Sequence, residues 1–236
     1  MPTGMGGSGP AVEGGVCNGM EGRVAVFLES FGRVFAALFP VINPPGMALL
    51  FLAMTRRASR AERTFLAGRV AFYAFLVVNT AYYVGTVILR FFDISLPVLR
   101  VAGGIVLASS GWRLLNESRS GRDAGLEVGG AGDWVRVAFY PLTMPVTTGP
   151  GTISVSIALG AILPRNMPVM LGGLTASLLI SGAIYLCYRY ADRIESRLGR
   201  AGSEALSSLF AFILICIGVQ ILWNGFSELW GSLPAK

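Results

Sequence analysis

Long apolar runs without charge dominate the sequence. Five of them cover residues 34–54, 70–89, 137–163, 167–188 and 205–226, each near or above the roughly 20 residues that a helix needs to span a bilayer. A sixth run, 94–115, contains Arg100 and Arg113 near its ends, where long side chains can extend to the membrane interface. These runs predict an all-α integral membrane protein with six transmembrane helices and no soluble domain.

The composition excludes several classes of chemistry. Hydrophobic residues make up 53% of the chain and charged residues 14%, and the mean hydropathy is +0.63. Histidine is absent, which removes His-based metal sites, acid–base pairs and triads. Cys17, Cys187 and Cys216 form no pairing pattern. We therefore predict that the protein is not an enzyme and holds no metal or cofactor.

Basic residues are concentrated in alternate connections between the predicted spans. Because cytoplasmic loops carry an excess of Lys and Arg, this asymmetry predicts that both termini face outward. It also accounts for the net charge of +6, so we predict no nucleic-acid partner. Thirteen of the nineteen Lys and Arg residues flank or fill the first, third and fifth connections: Arg56, Arg57, Arg60, Arg63, Arg69, Arg113, Arg119, Arg122, Arg136, Arg189, Arg193, Arg197 and Arg200.

Two polar segments frame the apolar runs. Residues 1–23 are rich in glycine and are expected to be disordered, with Met20 an alternative start. Glu29 and Arg33, one helical turn apart, are expected to form a weak ion pair at the interface. A cytoplasmic linker over 117–133 and a short tail over 231–236 complete the organisation.

A short proline–glycine phrase occurs twice, each time within an apolar run. Residues 40–46 read PVINPPG and residues 145–151, an offset of 105, read PVTTGPG, so that four of seven positions are identical. Proline removes a backbone donor and clashes with the preceding turn, so each copy is expected to break its helix. One such break is most often a packing kink, whereas two breaks at corresponding positions indicate a transporter's binding site.

Each copy is interpreted as a helix restart. Asn43 is placed to cap a half-helix 44–54, and Thr148 to cap a half-helix 149–163. Spans one and four run in opposite directions, so the two positive helix ends would converge near the bilayer midplane, beside carbonyls released before each break. Donors and acceptors at one point suit a zwitterion. The predicted substrate-binding residues are Asn43, Pro44, Gly46, Thr147, Thr148, Gly149, Pro150 and Gly151.

The paired phrase also predicts an internal repeat. Residues 24–116 and 134–230 would each hold three spans, and an odd number of spans inverts the second copy relative to the first. Weaker support comes from GWRLL at 111–115 against GVQIL at 218–222. Small residues such as Gly103, Gly104 and Gly172 are expected at helix contacts, and whether these lie within one chain or in a homo-oligomer stays open.

Other polar residues in the spans carry a weaker signal. Asn79, Ser154 and Gln220 are candidates to line a cavity, although each is more often an interhelical hydrogen bond. Most aromatic residues are expected to face lipid or the interface. The five clean spans contain no Asp or Glu, so coupling to protons would have to use residues near span ends: Glu29, Asp93, Glu204 or Glu228.

Three motifs resemble the MarC family of six-span bacterial and archaeal membrane proteins. They are FPVINP at 39–44 with Gly46, AGGIVL at 102–107, and YPL at 140–142 leading to GPG at 149–151. The similarity runs from about residue 24 to 230. It implies a relation to transporters of small neutral amino acids in the bacterial or archaeal inner membrane, with the two Pro–Gly phrases as the site.

The leading functional hypothesis is a secondary transporter of small zwitterionic solutes, such as glycine or alanine, working by alternating access. The alternatives are an exporter of drugs or other metabolites, a pore, and a membrane protein without transport activity. An intramembrane enzyme is disfavoured because the spans hold no HExxH, GxSxG or acid pair. The expected partners are the lipid bilayer and a small-molecule solute.

Overall fold

The computed structural model describes residues 15–119 and 134–231. These residues form helices and no strand. In chain order the elements are α1 (Gly15–Ile42), α2 (Pro44–Met54), α3 (Arg60–Phe91), α4 (Leu96–Arg119), α5 (Trp134–Val137), a π-helical segment (Ala138–Thr147), α6 (Pro150–Ile162), α7 (Met167–Arg189) and α8 (Ala191–Gly231).

The all-α membrane class is confirmed, but the fourth expected span is not a single helix. Within the part of the chain that the structure describes, five helical stretches are long and apolar enough to cross a bilayer: Met20–Met54, Arg60–Phe91, Leu96–Asn116, Met167–Arg189 and Glu204–Gly231. The run 137–163 is instead divided between the π-helical segment and α6. Pro141 and Pro145 lie in the π-helical segment, and Pro150 is the first residue of α6. Each of these prolines lacks the backbone N–H that one continuous helix would need at its position.

The expected boundaries shift at both ends of the first half. Helix α1 begins at Gly15, so the prediction of disorder over 1–23 is wrong for residues 15–23, because a helix once nucleated extends at little cost. Helix α4 likewise continues to Arg119, into the expected linker 117–133. Residues 1–14, 120–133 and 232–236 lie outside the described residues.

The Glu29–Arg33 ion pair is present, with atoms 2.5 Å apart and both side chains about 60% exposed. An exposed pair of this kind contributes little to stability, on the order of 0.3–0.5 kcal/mol.

Small residues bring α4 and α8 into close antiparallel contact, as expected. A Cβ on Gly104 would lie 2.6 Å from Gly218 O, and one on Gly111 would lie 2.8 Å from Ala211 O. The same closeness joins α7 to α1, where a Cβ on Gly172 would lie 2.9 Å from Phe27 O. Backbones approach this closely only where no side chain intervenes.

The helix ends define two faces of the molecule. The upper face holds the connections 92–95 and 163–166, where Arg165 donates to Thr86 Oγ1 at 2.8 Å. The lower face holds the connection 55–59 and the start of α8. There Arg63 forms an ion pair with Asp192, and Trp134 Nε1 donates to Glu62 Oε1 at 2.8 Å. These lower-face contacts join the first half of the chain to the second.

Candidate functional site

The first break has the predicted local structure. Asn43 adopts the left-handed conformation (φ 48°, ψ 61°) between α1 and α2, and its Oδ1 accepts a hydrogen bond from Gly46 N at 3.1 Å. Pro44 occupies the first position of α2, where its missing N–H costs nothing. Asn43 tolerates a positive φ better than most residues because its short polar side chain bonds locally.

The amide nitrogen of Asn43 has no hydrogen-bond partner among the described residues, although the residue is only 2% exposed. Its orientation is fixed, because the oxygen is used by the cap. A buried amide without a partner costs on the order of 1–3 kcal/mol, so such a group in a native protein points to a water, an ion or a ligand. Because Nδ2 only donates, its missing partner must be an acceptor.

Free acceptors lie one turn earlier. The carbonyls of Pro40 and Val41 would normally bond the N–H groups four residues later, but those positions are Pro44 and Pro45. Asn43 N bonds Phe39 O at 2.9 Å, so the helix is intact up to that point. The first break therefore presents both a free donor and released carbonyls.

The second break differs from the prediction. Gly149, not Thr148, is the N-cap residue of α6 (φ −75°, ψ 177°), and it has no side chain to make a cap bond. The Thr148 hydroxyl instead donates back to Thr143 O at 3.1 Å. Thr147 Oγ1 and Thr143 Oγ1 donate in the same way to Leu142 O and Ala138 O, each at 2.7 Å. Of these three acceptors, Thr143 O lies among the carbonyls expected to be released before the second break, and the Thr148 hydroxyl occupies it.

The backbone explains this pattern of bonding. Tyr140 (φ −125°, ψ 124°) and Met144 (φ −111°, ψ 123°) are extended, and each precedes a proline joined by a cis peptide bond. A residue before proline is disfavoured in the helical region. The segment therefore widens, and each threonine hydroxyl meets the carbonyl five residues before it.

Tyr188 connects the two breaks, and sequence reasoning missed it. The Thr147 hydroxyl hydrogen is directed at Leu142 O, so at the 2.8 Å contact between Thr147 Oγ1 and Tyr188 Oη the tyrosine donates. The ring of Tyr188 stacks on Phe51 of α2 with centroids 4.5 Å apart. Both aromatic side chains are fully buried, and they are exceptions to the expectation that most aromatics face lipid or the interface. A tyrosine beside Arg189 at the end of a span is typical of an interface anchor, so no local signal marks its role.

Replacing Tyr188 by phenylalanine removes one buried hydrogen bond and keeps the ring stack. We expect a loss of about 0.6–1 kcal/mol in stability, whereas Tyr188→Ala should cost about 3–5 kcal/mol by leaving a cavity. Thermal unfolding of the detergent-purified variants measures both effects. The matched control is Tyr190→Phe at a partly exposed tyrosine, which should have no effect, and equal shifts for the two phenylalanine variants would contradict the role given to the Tyr188 hydroxyl.

A cavity of about 630 Å³ extends from the upper face to the last turn of α1, just before the first break. Pro40 and Val41 of α1 line it, together with residues of α4, α6 and α8. Its polar lining comes from Ser154, Asn224, Ser227 and the charged residues Arg100 and Glu228. The remaining lining is aliphatic, and no aromatic side chain of the described residues is part of it.

The three weaker candidates have different outcomes. Ser154 lines the cavity, and its hydroxyl donates to Leu99 O at 3.0 Å. Asn79 instead bonds Ser177 of α7, with Nδ2 2.9 Å from Ser177 Oγ, which is an interhelical contact. Gln220 is exposed on α8 and donates to Asn224 Oδ1 at 2.9 Å.

The remaining motif residues are spread over the neighbourhood of the breaks. Gly151 packs against α4, since its Cβ would lie 3.0 Å from Leu107 Cβ. Pro44 is buried and Pro150 is exposed. Helix α1 contacts α6, and α2 contacts the π-helical segment, so the two breaks lie beside each other. The described residues hold no cluster of His, Cys, Asp and Glu suited to a metal ion.

Comparison with known proteins identifies the family. A family model described as MarC family integral membrane protein matches residues 28–230, which is most of the chain. The chain belongs to the MarC family. The resemblance carried by the three sequence motifs is therefore confirmed, and family membership makes the chain an integral membrane protein.

Relatives of this MarC family chain include inner membrane proteins of enteric bacteria. The chain is 31% identical over 212 residues to the inner membrane protein MarC of Salmonella paratyphi A, which covers 85% of this chain and 96% of that protein. The MarC protein of Citrobacter koseri has the same identity and coverage. That of Escherichia coli O1:K1 is 30% identical over 211 residues, with 85% and 96% covered. No solved structure matches the chain.

Proposed function

We propose that the protein is a secondary transporter of small zwitterionic solutes, with small neutral amino acids such as glycine or alanine as the substrate class. The observation that carries the proposal is the buried, unpartnered amide of Asn43 at the N-terminus of α2. A solute carboxylate satisfies this donor and is stabilised by the positive end of the half-helix. The released carbonyls of Pro40 and Val41 accept from the solute ammonium group.

The position of the cavity and of the contacts between the two halves supports alternating access. The 630 Å³ cavity opens toward the upper face and reaches Pro40 and Val41, and its volume lies within the range of about 300–1,000 Å³ of small-molecule sites. On the lower face the two halves are held together by the Arg63–Asp192 ion pair and the Trp134–Glu62 hydrogen bond. A cavity that opens to one face, with the two halves in contact at the other, is compatible with alternating access.

Helix contacts support an inverted repeat. We match α1 with the π-helical segment, α2 with α6, α3 with α7, and α4 with α8. When each element is replaced by its match, the contact of α1 with α7 becomes the contact of the π-helical segment with α3, and both contacts are present. The contact of α3 with α6 likewise becomes the contact of α7 with α2, which is also present. The contacts of α4 with α6 and of α2 with α8 correspond in the same way. Rocking of such repeats about a midplane site is the established motion of inverted-repeat carriers.

A drug exporter is the second candidate, and one observation favours it: most of the cavity lining is aliphatic. Large drugs, however, are bound mainly by apolar and aromatic side chains. The described residues that line this cavity include no aromatic side chain, and they carry one positive and one negative charge. A small charged solute fits this lining better.

Solute counterflow tests the proposal. Purified protein in liposomes preloaded with unlabelled glycine or L-alanine is expected to accumulate the labelled amino acid, with saturation and with no unitary conductance in planar bilayers. Asn43→Asp provides the specific variant, because it keeps an oxygen for the cap but replaces the donor by a negative charge, and we expect it to lose counterflow. Unimpaired counterflow by Asn43→Asp, or none by the wild type with any neutral amino acid, would refute the proposal.

We further propose that the protein lies in the bacterial inner membrane with the lower face in the cytoplasm. The orientation rests on the arginines near that face and on the location of the relatives. Single cysteines at the exposed positions Arg56 and Ser196 are then expected to react with a membrane-impermeant maleimide only in inverted vesicles. A cysteine at Arg165, on the upper face, should react only in intact cells. The opposite pattern would reverse the orientation and leave the transport proposal untouched.

A further inference from the structure

Arg100 and Glu228 form an ion pair at the upper end of the cavity. Arg100 belongs to α4 and Glu228 to the last turn of α8. We propose that these two side chains form an outer binding site for a zwitterion, in which Arg100 holds the carboxylate and Glu228 the ammonium group. This inference rests on the proposed transport function and adds a second, side-chain site to the one at the first break.

The arrangement is not explained by helix stability. Arg100 lies one turn into α4, near its positive end, and Glu228 lies near the negative end of α8. Each charge is therefore disfavoured by the dipole of its own helix. An ion pair that served only to join α4 and α8 would be better placed with the two charges exchanged.

The same dipoles favour a zwitterion in one orientation. The positive end of α4 reinforces Arg100 as a carboxylate site, and the carbonyls at the end of α8 reinforce Glu228 as an ammonium site. In the complex, the solute carboxylate takes the place of the Glu228 carboxylate beside Arg100. The solute ammonium group takes the place of the Arg100 guanidinium beside Glu228. No net charge is moved into the cavity, so the exchange avoids burying an unpaired ion.

The exposure of the pair permits this exchange. The Arg100 side chain is 13% exposed and the Glu228 side chain 48%. Among the described residues, Arg100 donates to Glu228 through Nη1 only, which leaves further guanidinium donors for a bidentate carboxylate. Asn224 and Ser227 add polar groups on the same end of α8. The sequence suggested that Arg100 extends to the membrane interface, whereas the structure directs it into this cavity.

A variant in which the two charges are exchanged distinguishes a role of the pair in solute binding from a role in stability. In Arg100→Glu/Glu228→Arg the pair can re-form, and both charges then match the helix dipoles, so we expect a melting temperature equal to or above that of the wild type. The KM for glycine in proteoliposomes should nevertheless rise by about tenfold or more, the effect of losing one hydrogen bond to a charged group. The matched control is Glu29→Arg/Arg33→Glu, which exchanges an exposed pair outside the cavity and should leave the KM unchanged.

A protection experiment does not depend on how the exchanged variant folds. With Cys17, Cys187 and Cys216 replaced by serine, Ser227→Cys places a thiol in the cavity wall, and saturating glycine should slow its alkylation. Ethylamine and propionate, each carrying one charge, should protect poorly, and Ser196→Cys on the lower face should not respond. A wild-type KM in the exchanged variant, or alkylation of Ser227→Cys that glycine does not slow, would overturn the outer site. If wild-type counterflow of glycine persists in that case, the transport proposal stands without it.

Discussion

Replacing Gly46 by alanine is expected to abolish transport while leaving the protein inserted in the membrane. A Cβ at this position would lie 2.8 Å from Cγ of Asn43 and closer still to its amide nitrogen. The Asn43 side chain must then move, which breaks its bond to Gly46 N and displaces the donor assigned to the solute carboxylate. Loss of a cap alone costs only about 1 kcal/mol, so the functional loss should far exceed the structural one.

Three measurements define this experiment: counterflow of labelled glycine, elution from size-exclusion chromatography, and the melting temperature. The matched control is Gly32→Ala on α1, whose added Cβ would have no neighbour within 4 Å. It should behave as the wild type in all three. Normal counterflow by Gly46→Ala would show that the geometry of Asn43 is not required for transport.

The sequence predicts Gly46 as a site residue, and the structure gives a physical reason why a side chain would not be tolerated there. The structure shows that the nearest obstacle is the cap of the same turn. Asn43→Asp and Gly46→Ala therefore both test the Asn43 side chain. The first variant changes its chemistry, and the second displaces it.

Local chemistry explains which parts of the fold were predictable. Asn43, Pro44 and Gly46 specify a cap, a first helical residue and a nearby glycine within four positions, so the start of α2 follows from the sequence. The apolar runs likewise predict the long helices because their length must match the bilayer. The same reasoning predicts the wrong cap residue at the second break. Thr148 has cap chemistry, but its hydroxyl bonds Thr143 O because the preceding segment is wide.

The contacts that the sequence could not reveal join residues far apart in the chain. Tyr188 meets Thr147 and Phe51 across three elements, and Arg100 meets Glu228 from the opposite half. Neither pairing has a signature within a window of neighbouring residues. Both become visible only when helix packing has placed the partners side by side.

Among the glycines of the spans, the largest effect on stability is expected for Gly160→Ala, at the crossing of α3 and α6. A Cβ on Gly160 would lie 2.9 Å from the carbonyl carbon of Tyr82 and overlap its oxygen. Since the obstacle is backbone, the two helices must separate. Overpacking typically costs about 1–3 kcal/mol, and this contact should lie at the upper end because no side chain can rotate away.

Gly85 and Gly182, which also lie in the spans, provide comparison variants with smaller expected effects on stability. The Cβ of Gly85→Ala would meet the Ile157 side chain, with Cδ1 at 3.0 Å, and a side chain can shift where a backbone cannot. Gly182→Ala would meet nothing within 4 Å and should gain up to about 1 kcal/mol from helix propensity. The melting temperatures should therefore rise in the order Gly160→Ala, Gly85→Ala, wild type, Gly182→Ala. A Gly160→Ala variant as stable as Gly182→Ala would mean that α3 and α6 do not cross at this distance, and the wall of the site that α6 provides would have to be placed elsewhere.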